Sequence, residues 1–404
     1  MKKVFLFLFF IYSAFVQSQI EFVDSINYLG ENRSYLAYVP DSYDGSTAYP
    51  LLFTLTNASY GYDDDLEYIS WSVFDEYDWK NIADTSGVIL IHPLPKIEPD
   101  KGDSTLPIYA YHKYDLDPFG TDLSEAYTCD DCFISNLIDS ISLNYQIDQC
   151  RIYATSYLLT GNTTNNFAYT LACRLSNRIA AVGLVTAPMA YPNDYFNFPA
   201  CIPSESISII SLYTIDENNT IPPYSYDGFM EYGYAPQDTV ISFWINHNNL
   251  NAQPVETNIP DTVLPPYDVF PGGIKKTWSN DNTCETLEQI TWEGDPSAFL
   301  TYPGIPTQGG WMDLHASREI WNFISQYNIN GKISCNNISN CNTSFNCIPD
   351  GRCTPNLQVV ELSQNSKNLI QILDMMGRET SFKPNTPLIY VYDDGSTEKV
   401  FKIE

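Results

Sequence analysis

From Arg33 to about Asn330 the chain alternates short apolar runs with stretches of helical spacing, and no other feature constrains its fold so strongly. The runs Ser34–Val39, Leu51–Thr56, Val88–His92, Arg151–Ala154, Ala181–Thr186 and Ile207–Leu212 predict strands. Phe133, Ile134, Leu137, Ile138 and Ile141 recur at helical spacing, as do Ile320, Trp321, Phe323, Ile324 and Tyr327. Together they predict an α/β domain with a mostly parallel sheet flanked by helices.

The two ends read differently. Lys2 and Lys3 precede an almost wholly apolar run from Val4 to Val16, followed by Gln17-Ser18-Gln19. The run is shorter than the roughly 20 residues a membrane-spanning helix needs, so residues 1–18 read as a signal peptide. No later segment is long and apolar enough to span a membrane, and none is expected in the mature protein. Ten cysteines in an exported chain read first as disulfides. A formal charge of −29, from 49 acidic against 20 basic residues, argues against nucleic acid or an anionic membrane surface as partner.

The α/β domain is expected over residues 19–332. Residues 333–356 follow, with Cys335, Cys341, Cys347 and Cys353 each six positions apart among Asn, Ser, Gly and Pro. Such a segment cannot build its own core, so it reads as a linker stapled by one or two disulfides, with zinc as the sharper alternative. Residues 357–404 read as a small all-β module, with Asp393-Asp394-Gly395-Ser396 as a hairpin turn. ILDMMGRET, PNTPLIYVYDDG and the closing EKVFKIE make this stretch resemble the C-terminal sorting domains (type A) of type IX secretion systems. That resemblance implies the type IX machinery as a partner, and a protein secreted or held at the cell surface.

In the larger domain RSYLAYVPDSYDG, YPLLFTL, NIADTSGVILIHPLP, FISNLIDSISLNYQID, RIYAT, LACRLSNRIAAVG and DLHASREIWNFISQY occur in order. Together they resemble exported esterases of the polyhydroxybutyrate depolymerase and feruloyl esterase type, which are α/β-hydrolases. The resemblance implies a nucleophilic serine on a G-x-S-x-G turn, a histidine base, an orienting acid and backbone oxyanion donors. This sequence departs from that pattern at three of the four. The connection after RIYAT reads SYLLTGNTTNN, about four residues longer than the family's turn. Counting back from Cys173 puts Asn162 at the serine position with Thr163 beside it; counting forward from Thr155 puts Leu158 there. Thr163 and Ser156 are the candidate substitute nucleophiles.

Leu300 stands at the family's histidine position, ahead of Tyr302-Pro303-Gly304. Of the four histidines, His92, His112, His247 and His315, the last lies nearest, at the mouth of the final helix, and is the candidate substitute base. Thr56-Asn57 replaces the His-Gly pair of the oxyanion region, while Asp216 retains the acid position. Leu212-Tyr213 lies over a second His-Gly.

Other clusters call for no cofactor and no metal. Cys129-Asp130-Asp131-Cys132 has redox spacing but sits where a helix starts, and reads as structural. Asp63-Asp64-Asp65 lacks an EF-hand pattern and reads as a solvated loop. Thirty tyrosines among 14% aromatics suit either core packing or a cleft that stacks on a glycan or polyester. The leading expectation is thus a catalytically degenerate esterase-like domain that binds a polymer, a glycan or another protein. The alternative is an active carboxylic ester hydrolase on polyesters or feruloylated polysaccharide with relocated nucleophile and base, so the sequence leaves activity open.

Overall fold

A computed structural model describes residues 20–56, 74–75, 77–94, 96–99, 107–110, 130–157, 167–186, 189, 201–215, 235–263, 272–293, 302–304, 311–335, 345–347, 353–355, 369–374, 378, 380, 388–392 and 397–400. The chain divides into two compact units, Met1–Pro355 and Asn356–Glu404. The expected signal peptide and the turn at residues 393–396 lie outside the described residues.

In the first unit β1 (Ile20–Tyr28), β2 (Glu31–Val39), β3 (Tyr49–Thr56) and β4 (Ile89–Pro93) open the sheet, with α1 (Trp79–Ser86) between the last two. A small hairpin, β5 (Lys96–Pro99) with β6 (Pro107–Ala110), stands apart. Next come α2 (Asp130–Asn144), β7 (Ile147–Tyr157), α3 (Phe167–Arg174), β8 (Ala181–Val185) and β9 (Ser208–Ile215). They are followed by α4 (Gln237–His247), β10 (Val255–Ile259), β11 (Gly273–Ser279), β12 (Thr286–Glu293) and α5 (Ala316–Ile324). A hairpin of β13 (Tyr327–Asn328) and β14 (Gly331–Lys332) closes the domain.

Ten strands form one sheet in the order β1-β2-β4-β3-β7-β8-β9-β12-β11-β10. The block β4-β3-β7-β8-β9-β12 is parallel throughout, while the strands on either side pair antiparallel. All six strands expected from sequence lie within or against β2, β3, β4, β7, β8 and β9. They read as apolar runs because both faces are covered. On one face Leu51, Phe53, Ile152, Ala154 and Val182 pack with Phe133 and Leu137 of α2 and Leu171 of α3. On the other, Leu52, Leu90, Tyr153 and Leu212 pack with Ile82 of α1 and Ile320 and Phe323 of α5.

Two details set that architecture. Arg33 of β2 is buried against Asp130 at the start of α2, 2.7 Å apart, with its guanidinium 4.2 Å above the Phe133 ring. Asp131 is bound in turn by Arg174 at the end of α3, so the Asp130-Asp131 pair ties α2 to two elements. The second detail is Gly183 in β8, where a Cβ would stand 2.3 Å from Cγ2 of Ile320. Helix α5 seats on the sheet at this bare backbone, so Gly183→Ala is expected to cost about 1–3 kcal/mol by overpacking. Denaturant unfolding measures it; a loss that persists undiminished in Gly183→Ala/Ile320→Ala would locate the cost elsewhere.

Cys173 is disulfide-bonded to Cys201, and Cys132 and Cys150 are also disulfide-bonded. Among the described residues of 333–355, which fall within the first unit, β15 (Phe345–Cys347) and β16 (Cys353–Pro355) pair antiparallel with Cys347 opposite Cys353. The second unit carries a three-stranded antiparallel sheet of β17 (Leu369–Asp374), β18 (Leu388–Tyr392) and β19 (Thr397–Val400). No described helix is long and apolar enough to cross a membrane.

Candidate functional site

Parallel strands deliver the segments that follow them to a single edge of the sheet. Here the segments after β3, β7, β9 and β12 all leave from the C-terminal edge of the parallel block. Neighbouring strands lie about 4.8 Å apart, so β9 is one step from β12 and two steps, roughly 10 Å, from β7. In open α/β sheets that edge is where ligands bind. Thr56 is the last residue of β3, its backbone opposite Tyr157 of β7. Asn57, Thr163 and Asp216 lie outside the described residues; Asp216 directly follows Ile215, the last residue of β9.

Ser156 was expected in a loop, because the predicted strand ended at Ala154. Instead β7 runs on to Tyr157, as Thr54, Leu55 and Thr56 of β3 and Gly183, Leu184 and Val185 of β8 supply partners for three more residues. Ser156 is therefore a buried strand residue. Successive side chains point to opposite faces. Ser156 shares the α2 and α3 face with Ile152 and Ala154, while Tyr153 and Tyr157 face α1 and α5.

His315 is the N-cap residue of α5, on the Tyr157 face. Ser156 also lines, with Tyr77, Tyr157 and Tyr302, the small opening at the ends of β3 and β7. What His315 does face is Asp78: Nε2 lies 3.9 Å from Oδ2. Arg318 donates two hydrogen bonds, of 3.0 and 2.7 Å, to that same oxygen. Partial burial holds the imidazole below its ordinary pKa, against the pull of Asp78 and with the help of Arg318. His315 is accordingly neutral at pH 7. Sequence gave no sign of this cluster, since Asp78 and Arg318 are 240 positions apart.

The other described histidines serve elsewhere. His247 Nε2 lies 3.1 Å from the Glu205 carbonyl, and its neighbour Asn248 bonds both backbone groups of Ile207. These contacts precede the start of β9. A strand rises about 3.3 Å per residue, and β9 is 8 residues long, so His247 sits at the opposite end of β9 from Ile215. His92 is 1% exposed at the end of β4, with Nδ1 3.2 Å from Thr54 Oγ1. Burial pulls its pKa down to about 4. His112 lies outside the described residues.

Between the ends of β3 and β7, on the α1 and α5 face, tyrosines fill the space above Thr54 and Thr155. The Tyr302 ring centroid lies 4.3 Å from Tyr77 and 5.0 Å from Tyr157. The Tyr302 hydroxyl meets Ser317 Oγ at 2.8 Å, and Ser317 donates to the Tyr77 carbonyl. Burial pushes the Tyr302 phenol above its usual range, so it stays protonated. Only a water-sized opening remains among these rings. Across the sheet, Tyr213 is fully buried, its hydroxyl 3.2 Å from that of Tyr169, and burial pushes its phenol up to about 12. It is a packed strand residue where the esterase pattern has a glycine.

Among the described residues no three metal-ligating side chains converge. Within the Cys129–Cys132 motif, Cys132 is disulfide-bonded and Asp130 and Asp131 are ion-paired.

No known protein family and no curated protein matches the chain. Solved structures do. A thermostable esterase shares 10% identity at a TM-score of 0.41, over 78% of this chain and 64% of that one, less than two thirds of the esterase's length. The S-formylglutathione hydrolase of Agrobacterium tumefaciens shares 11% at 0.40, over 74% and 96%. A feruloyl esterase module from Clostridium thermocellum, complexed with sinapinate, shares 11% at 0.32, over 57% and 87%. Likeness this distant leaves the fold class to rest on the chain's own sheet: mostly parallel, with helices on both faces.

Proposed function

We propose that the chain is an exported protein whose α/β domain keeps an esterase-like scaffold for binding a polymer, a glycan or another protein, and does not hydrolyse esters. One observation carries the reading. Strands β3, β7, β9 and β12 end at one edge of the sheet, yet the sequence that follows β7, residues 158–166, holds no serine and that following β12, residues 294–301, no histidine. His315, the nearest substitute, caps α5 and faces Asp78, a carboxylate that Arg318 also holds. Removing triad members from a serine hydrolase leaves only the residual catalysis of the oxyanion hole. The Cys173–Cys201 disulfide suits an oxidising compartment, in keeping with the signal-like N terminus and the sorting-domain pattern of residues 357–404.

Incubating the purified mature domain with a fluorophosphonate probe and a short-chain aryl ester tests this. Neither labelling nor turnover above buffer is expected. Labelling that disappears in Thr163→Ala or Ser156→Ala would instead establish an active hydrolase with a relocated nucleophile.

A further inference from the structure

Helix α5 is followed by a short hairpin whose anchorage bears on how the domain ends. Its second strand seats on the β11–β12 turn. Lys332 N donates to the Cys284 carbonyl at 2.7 Å. Gly331, at φ +96°, passes so close that a Cβ there would lie 2.6 Å from the Cys284 Cβ. Only glycine tolerates both that backbone angle and that approach. A tight turn then bends the chain back, with Cys335 N donating to the Lys332 carbonyl at 2.8 Å. The outcome is that Cys335 is turned back toward Cys284, near enough for the two thiols to interact, with Cys284 partly exposed and Cys335 exposed.

We propose that Cys284 and Cys335 are the two halves of a structural disulfide that clamps the end of the α/β domain to the turn before β12. Two S–H bonds break and one S–S bond forms. Two protons go to solvent, and the electron pair passes to the disulfide of the oxidant, glutathione disulfide or an oxidised dithiol protein, which leaves as two thiols. Both thiols are within reach of such an oxidant because neither is sealed in the core.

The even spacing of Cys335, Cys341, Cys347 and Cys353 had suggested pairing within the linker. The clamp instead takes Cys335 out of that set, and the β15–β16 register places Cys347 opposite Cys353 without it. Its physical effect is on the chain's exit. Ile324 and Tyr327 belong to the core on the α5 face, and Ile333 N donates to the Gln326 carbonyl. A covalent bond at residue 335 prevents this last layer from peeling away from its C-terminal end. It needs an oxidising compartment but no ligand, so it stands apart from the binding function proposed above.

The test uses the full chain equilibrated in a glutathione redox buffer, alkylated under denaturing conditions, digested without reductant and read by peptide mass spectrometry. A peptide pair linking Cys284 to Cys335 is expected. Both thiols alkylated, or Cys335 joined to Cys341, Cys347 or Cys353, would overturn the clamp. A second measurement guards against a bond without consequence. Cys284→Ser, Cys335→Ser and the double variant are each expected to melt about 5–10 °C below the oxidised parent, equally among themselves. All four should converge in reductant. An oxidised parent melting with its variants would refute a stabilising clamp.

Discussion

Asp130→Ala lowers the unfolding free energy of the α/β domain by about 3–5 kcal/mol, the cost of leaving a buried charge without its partner. Arg33 is 4% exposed and Asp130 0%, so water cannot take the place of the lost carboxylate. The guanidinium remains pinned over the Phe133 ring, which offers an electrostatic contact but no anion. Asp130 also lies in the first turn of α2, where a negative charge offsets the helix dipole, so its removal weakens the helix start as well. The pair itself need not be net stabilising, because desolvating two charges offsets most of their attraction. Arg33→Met/Asp130→Leu is therefore expected to recover most of the loss and to unfold within about 1 kcal/mol of the parent, or above it. Urea unfolding at pH 7 with an unchanged m-value is the measurement. A single variant as stable as the parent would mean that the carboxylate is solvated in solution and the ion pair is not a strut.

How much of this was legible beforehand varied with the local physics. The six central strands were readable because each is covered on both faces and reads as an apolar run. Strand β12 was not, because Glu288, Gln289 and Thr291 make it look polar, although Gln289 and Thr291 are buried in the sheet. The edge pair β10 and β11 was hidden in the same way: Lys276 and Glu256 face each other across the ladder at 3.4 Å and carry no apolar signal.

At the candidate site, sequence could name the loops but not the faces. Which face Ser156 takes depends on pleat parity, and parity became readable only once β7 extended past Ala154. The Asp78–His315–Arg318 cluster and the stack of Tyr77, Tyr157 and Tyr302 join residues from three separate parts of the chain. No spacing rule reaches across such distances.

Acid exposes the other buried group at that edge. His92 titrates at about 4 in the folded protein, against an ordinary value near 6.5 when the chain is unfolded. Below pH 6.5 the unfolded state binds the proton more readily, so stability falls with pH. The contribution is complete above about 6.5, is lost as pH falls toward 4, and changes no further below that. A gap of about 2.5 units corresponds to roughly 3 kcal/mol. The cause is burial: the ring sits edge-on to Phe74, 6.3 Å between centroids, and Thr54 supplies only a neutral hydroxyl. Several buried carboxyl groups, Glu288 and Asp131 among them, are held above their ordinary values by burial and work in the opposite direction, gaining protons in the folded state as the solution acidifies. The raw pH profile therefore mixes signs, and the His92 part must be isolated by difference. His92→Gln keeps a hydrogen-bonding group for Thr54 and removes the titration. Guanidinium unfolding of both proteins at pH 7, 6, 5 and 4 should show the variant gaining on the parent by about 3 kcal/mol across that range, with the gain concentrated between pH 6 and 4. Parallel profiles would mean that the imidazole finds water or a counter-charge on protonation, and that the end of β4 opens more readily than its packing implies.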